Sequence, residues 1–138
     1  MKFTQLITIA LLMGVAISCN AEANKNKEEK NTKELQQAKE VVVYYFHNTR
    51  RCATCKAVER VSNEAVKELN NENVSFTALN VEKPEGEEKA KELGISGQTL
   101  LIVGAGEKFN VTQKGFLHAR SNPDKLKEII QGKIESLQ

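Results

Sequence analysis

The feature that most constrains this chain is a strand-like run that delivers a C-x-x-C pair to the start of a helix. Val41-Val42-Val43-Tyr44-Tyr45-Phe46 is continuously β-branched and aromatic, the pattern of a short strand buried on both faces. A short loop follows, and then Cys52-Ala53-Thr54-Cys55. From Ala53 to Leu69, apolar residues recur at Ala57, Val58, Val61, Ala65, Val66 and Leu69. That spacing draws one stripe along a helix, and Asn70-Asn71 ends it.

The alternation continues downstream. Val74 to Val81 reads as a second strand. Pro84-Glu85-Gly86 breaks the chain, and Glu87 to Leu93 forms a short helix closed by Gly94. Thr99 to Val103 is a third strand, and Gly104-Ala105-Gly106 turns into a fourth around Lys108 to Thr112. Ser121-Asn122-Pro123-Asp124 opens a last helix with Pro123 at its first position, and its stripe is Leu126, Ile129, Ile130, Ile134 and Leu137. The order β-α-β-α-β-β-α predicts an α/β domain over residues 40–138. Alternating strands and helices argue for parallel strands with helices on both faces, and the late hairpin adds antiparallel ones, giving a mixed central sheet of about four strands.

Upstream of that domain the composition changes. Residues 1–19 read as a targeting segment: Lys2 is a positive n-region, and Leu6 to Ile17 carry no charge. The run is shorter than the roughly 20 apolar residues of a membrane span and suits a signal-peptide core. Ala16-Ile17-Ser18-Cys19 places a small residue directly before a cysteine. This is similar to the bacterial lipoprotein signal, which implies removal of residues 1–18 and lipidation of Cys19. Acyl chains contribute about 0.8 kcal/mol per buried methylene, and more than one gives stable anchoring. An ordinary secretory signal with an unrelated cysteine is the other reading. Residues 20–39 are dominated by Asn, Lys and Glu and cannot bury enough surface to offset their ordering entropy. They read as a tether, residues 19–39 with the anchor, or else as an N-terminal helix packed on the domain. The expected location is the bacterial cell envelope, on a membrane through the lipid anchor and facing the periplasm or exterior.

The net charge is only +2, with 28% charged residues, so no basic face for nucleic acid is expected. The chemistry concentrates in Cys52 and Cys55. A cysteine at a helix start meets converging amides that favour its thiolate. A second cysteine one turn on is placed to attack a mixed disulfide formed at the first. Arg50, Arg51 and Lys56 flank the pair and either favour the thiolate or are ordinary surface charges. His47 either exchanges protons with a cysteine or is a partly buried strand-end histidine. A c-type haem site requires His where Lys56 stands. A structural zinc site needs four ligands, and beyond the pair only His47 and His118 are candidates. A purely structural disulfide also fits the spacing, although so small a loop constrains the unfolded chain little.

Residues 40–138 resemble the thioredoxin fold: the strand, C-x-x-C and helix unit matches, as does the stretch Gly94 to Val103. YYFHNTRRCATCKAVE (Tyr44 to Glu59), SGQTLLIV (Ser96 to Val103) and HARSNP (His118 to Pro123) more closely resemble small thioredoxin-like lipoproteins labelled ArsF, some described as subunits of a nitrophenyl-compound nitroreductase. The resemblance implies a redox-active Cys52–Cys55 disulfide, with Cys52 as nucleophile, Cys55 as resolving thiol and a protein redox partner in the envelope. It implies no cofactor and no resident metal. It also exposes departures. Where thioredoxins carry a cis-proline before Thr99, this chain has Gln98, so Gln98 and Thr99 are expected to face the sulfurs. The buried acid usual on the first strand is missing from residues 41–46. These departures point to a specialised partner rather than general disulfide reduction. The alternatives are capture of a soft metal or metalloid ion by the thiols, or a non-catalytic subunit of a larger redox complex.

Overall fold

A computed structural model describes residues 40–138; the targeting segment and tether, Cys19 included, lie outside the described residues. Four strands form one sheet in the order β2-β1-β3-β4: β1 Val41–His47, β2 Val74–Asn80, β3 Thr99–Gly104 and β4 Glu107–Asn110. The strand that the sequence marks as buried on both faces is interior to the sheet. β1 pairs in parallel with β2, from Val41 opposite Val74 to His47 opposite Asn80. Its other edge pairs antiparallel with β3, Phe46 opposite Thr99. The sheet is therefore mixed as expected, with β1 and β2 as its parallel pair and β3 reversed against β1.

The helices are α1 Ala53–Leu69, α2 Pro84–Leu93, α3 Thr112–His118 and α4 Pro123–Glu135. Alternation along β1 sends Val41, Val43 and Tyr45 to one face. There they pack with Val58, Val61 and Ala65 of α1 and Leu126, Ile130 and Ile134 of α4. Phe46 faces the other way and packs with Leu79 of β2 and Ala90 of α2. Each fully buried Val, Leu, Ile or Phe among them contributes roughly 1.5–3 kcal/mol. The exposed ion pairs between α1 and α4, such as Lys127 with Glu68 at 2.5 Å, are worth about 0–1 kcal/mol. The apolar stripe therefore decides where α1 lies.

Two elements differ from the sequence expectation. α2 begins at Pro84 rather than Glu87, because Pro84 at the first helical position needs no amide partner. Gly86 lets this first turn press onto the end of β2: a Cβ there would lie 2.0 Å from the Asn80 carbonyl oxygen. The second difference is α3, which adds a helix between β4 and α4. Asn110 Oδ1 accepts the Thr112 amide at 3.1 Å and the Thr112 hydroxyl at 2.6 Å. That turn ends β4 at Asn110, so Thr112 opens a helix instead of closing a strand. Thr112 Oγ1 in turn accepts the Leu100 amide at 2.9 Å, tying α3 to β3. The β3–β4 hairpin closes through Ala105 (φ 49°) and Gly106 (φ 78°), a left-handed pair that matches the twist of the strands.

Gly86→Ala is expected to destabilise the domain by about 3 kcal/mol, since the clash is with backbone and cannot be relieved by a rotamer change. Urea unfolding midpoints check this; an unchanged midpoint would mean that α2 does not press on Asn80 as described.

Candidate active site

The end of β1 is held from two sides, and this fixes where the cysteines emerge. His47 is the last strand residue, and its Nδ1–H donates to the Asn48 carbonyl at 3.0 Å. In the following loop the Thr49 amide donates to Glu82 Oε2 at 3.0 Å, and Asn80 Nδ2 donates to Thr49 Oγ1 at 2.9 Å. The loop is thereby pinned to the end of β2. Cys52 then takes an extended conformation as the N-cap of α1, and its sulfur accepts the Cys55 amide at 3.3 Å. The helix starts as the Lys56 amide donates to the Cys52 carbonyl at 3.1 Å.

The two sulfurs have opposite environments. Both cysteines are free thiols; Cys52 is exposed and Cys55 is buried. Hydrogen bonds hold the Cys52 thiol below its ordinary pKa. The Cys55 side chain is the largest cause, followed by the Cys55 amide, with the Thr54 and Cys52 amides adding and burial opposing. Donors aimed at the sulfur favour its thiolate. The flanking cations contribute less than their position suggests. Arg51 is drawn onto Glu59 of α1 in an ion pair, and Arg50 and Lys56 are exposed.

Gln98 lies against the second sulfur: its Nε2 is 3.7 Å and its Oε1 3.9 Å from Cys55 Sγ. Thr99 is buried, and its hydroxyl donates to the Gly97 carbonyl at 3.4 Å. His47 makes no hydrogen bond to either sulfur among the described residues; its ring sits 5.9 Å from that of Tyr45 on the same face of β1. The structure thus brings Gln98 to the pair and leaves Thr99 and His47 engaged elsewhere. Two residues near the pair were not singled out from the sequence as site residues. Glu59 restrains Arg51, and its place two turns into α1 was the available signal. Tyr45 carries a buried hydroxyl, and strand alternation with Val41 and Val43 was the signal there. Among the described residues no three His, Cys, Asp or Glu side chains group as metal ligands, and no helix is long and apolar enough to cross a membrane.

An exposed sulfur held below its ordinary pKa thus stands one helical turn from a buried thiol. The thioredoxin family model matches residues 22–131. The chain belongs to the thioredoxin family. The thioredoxin-like protein Trxlp of Edwardsiella tarda EIB202 has a similar fold, with a TM-score of 0.52 at 14% identity over 74% of this chain and 92% of that one. Oxidized thioredoxin O2 of Arabidopsis thaliana is similar at a TM-score of 0.51 and 17% identity, over 76% of this chain and 87% of that one. No curated protein sequence matches the chain. At these identities the solved structures speak for the fold alone.

A limiting dose of iodoacetamide is expected to label Cys52 and spare Cys55, with a pH midpoint below that of a cysteine in the unfolded chain; equal labelling of both would contradict the site as described. Because the folded Cys52 binds its proton less tightly than the unfolded one, the dithiol form gains stability as pH rises through the window between the two pKa values. It loses that contribution as pH falls below the folded one. Urea unfolding of wild-type and Cys52→Ser chains across that window measures the difference.

Proposed function

We propose that this chain is a thiol–disulfide exchange protein of the bacterial cell envelope, lipid-anchored through Cys19 and acting on a protein partner. The observation that carries the exchange chemistry is the pairing of an exposed Cys52, held below its ordinary pKa, with a buried Cys55 whose amide reaches 3.3 Å to the Cys52 sulfur. The steps balance without a cofactor. The Cys52 thiolate attacks one sulfur of the partner's disulfide, forming a mixed disulfide and releasing one partner thiolate, which takes up a proton. Cys55 gives up its proton and attacks the Cys52 sulfur. A Cys52–Cys55 disulfide forms, and the second partner thiolate leaves. Two electrons pass to the partner; the reverse sequence oxidises it.

The anchor and the location are supported by residues 1–19, in which a charge-free run ends at Ala16-Ile17-Ser18-Cys19. Membership of the ArsF-type lipoproteins is supported by the stretches at Tyr44 to Glu59, Ser96 to Val103 and His118 to Pro123. A dedicated partner suits Gln98, because a polar amide beside the buried sulfur, rather than an apolar wall, would meet the bound segment.

The test is trapping in cells. Cys55→Ser, which cannot resolve the mixed disulfide, is expected to accumulate a reductant-sensitive adduct with an envelope protein, while Cys52→Ser forms none and loses exchange down to the uncatalysed rate. Absence of any adduct with Cys55→Ser would sink the exchange reading. Labelling with a fatty-acid analogue that depends on Cys19 checks the anchor separately.

A further inference from the structure

Tyr45 carries a buried phenol that the exchange steps above leave unused. Its side chain is fully buried on the face of β1 covered by α1. Its Oη is also shut off from solvent and makes no hydrogen bond of normal geometry. Burying a hydroxyl without a partner costs desolvation that Phe at the same place would avoid. The other such hydroxyl among the described residues, Ser62, lies inside α1, where a serine hydroxyl turns readily to the carbonyl one turn back. Tyr45 has no such local outlet, because its hydroxyl stands at the far end of a rigid ring.

The surroundings say what the hydroxyl is for. The ionisable groups that act on it are Cys55 and Cys52 at the start of α1 and Arg51 in the preceding loop. His47, two residues on along β1, presents its ring 5.9 Å away. Burial, followed by the charges of Cys55 and Cys52, pushes the phenol above its ordinary range, and Arg51 opposes them. The phenol therefore keeps its proton wherever thiols titrate, and toward a thiolate it can only donate. Cys55 is a buried residue of α1 one turn before Val58, which shares the core cluster of Tyr45, and the hydroxyl makes no hydrogen bond of normal geometry to the neutral thiol. A thiol is a weak acceptor, whereas a thiolate is a strong one.

We propose that the Tyr45 hydroxyl is an internal hydrogen-bond donor for the Cys55 thiolate, waiting unpaired until resolution of the mixed disulfide creates that charge. This deepens the exchange reading above and rests on it. In the resolving step Cys55 loses its proton to the solvent or to the departing partner thiolate. Its electron pair forms the bond to Cys52 Sγ, and the bond from Cys52 to the partner sulfur breaks with its pair going to the partner. Tyr45 transfers no proton; it lowers the free energy of the buried charge while that charge exists. Gln98 Nε2, 3.7 Å from the same sulfur, is a second donor from the β3 side.

The experiment uses the full chain carrying Cys19→Ser, so that the pair alone reacts. Cys52 is converted to a mixed disulfide with an aromatic thiol whose release is coloured, and release is followed by stopped flow across pH. With Tyr45→Phe, release at neutral pH is expected to slow about three- to fourfold, a tenfold loss of thiolate for one pKa unit on the attacking thiol offset in part by the greater nucleophilicity of the more basic thiolate, and its pH midpoint to rise. The first attack of Cys52 on the reagent stays within about twofold, and the urea midpoint is unchanged or higher, because an unpaired hydroxyl has been removed. Release within about twofold of wild type at every pH overturns the proposal. A ring-fluorinated tyrosine at position 45 is a second variant of nearly equal volume; its more acidic phenol is expected to speed release, and no change overturns the proposal even where Tyr45→Phe is poorly folded. The coloured thiol stands in for the protein partner. A slowed release in a chain that traps no envelope protein therefore removes the partner reading and keeps the role of Tyr45, while unchanged release with normal trapping removes the role of Tyr45 alone.

Discussion

The Cys55 amide that reaches back 3.3 Å to the Cys52 sulfur serves the fold and the chemistry with one contact. As a helix cap it satisfies an amide that the first turn of α1 would leave without a partner. As a donor to sulfur it favours the charged form of Cys52. The same geometry places the Cys55 thiol at the helix start, where it is buried and within a turn of the Cys52 sulfur. Moving the start of α1 would break both functions together.

What holds that start in place is β1. Both edges of the strand are paired, to β2 and β3, and both faces are covered, so its C-terminal end is braced on every side. The loop that follows is clamped to β2 through Thr49, Asn80 and Glu82. The stripe Val58, Val61 and Ala65 then fixes α1 against Val43 and Tyr45. The Cys52 side chain is thus exposed at the start of a helix held by core packing. Arg51 illustrates how the surroundings redistribute charge: its guanidinium engages Glu59, leaving the local donors from Cys55 as the main support of the Cys52 thiolate.

The parts legible in the sequence were those set by local pattern. The stripe from Ala57 to Leu69 marked α1 at the residues where it is found, and the unbroken run from Val41 to Phe46 marked the interior strand. The illegible parts were set by contacts distant in sequence. Pro84-Glu85-Gly86 reads as a break, but the approach of Gly86 to the Asn80 carbonyl makes it the first turn of α2. Thr112 to His118 holds too few apolar residues for a periodic signal, and its helix depends on Gly115 fitting against Leu100 and Val58. In the site, Cys52 and Cys55 announced themselves by spacing, and Gln98 by its departure from the thioredoxin pattern. Tyr45 did not, because in sequence its phenol is one aromatic among several in a strand; only three-dimensional packing leaves its hydroxyl unpaired beside the thiols.

The central claim is that Cys52 and Cys55 form a reactive pair and not an inert brace. A depressed Cys52 pKa stabilises the dithiol over the disulfide, which raises the reduction potential of the pair. Equilibrating the full chain, with Cys19→Ser, against glutathione or dithiothreitol buffers and measuring the fraction of Cys52–Cys55 disulfide gives that potential directly. The account predicts a value in the range of catalytic pairs, about −270 to −120 mV; a value below about −300 mV, where structural disulfides lie, would contradict it.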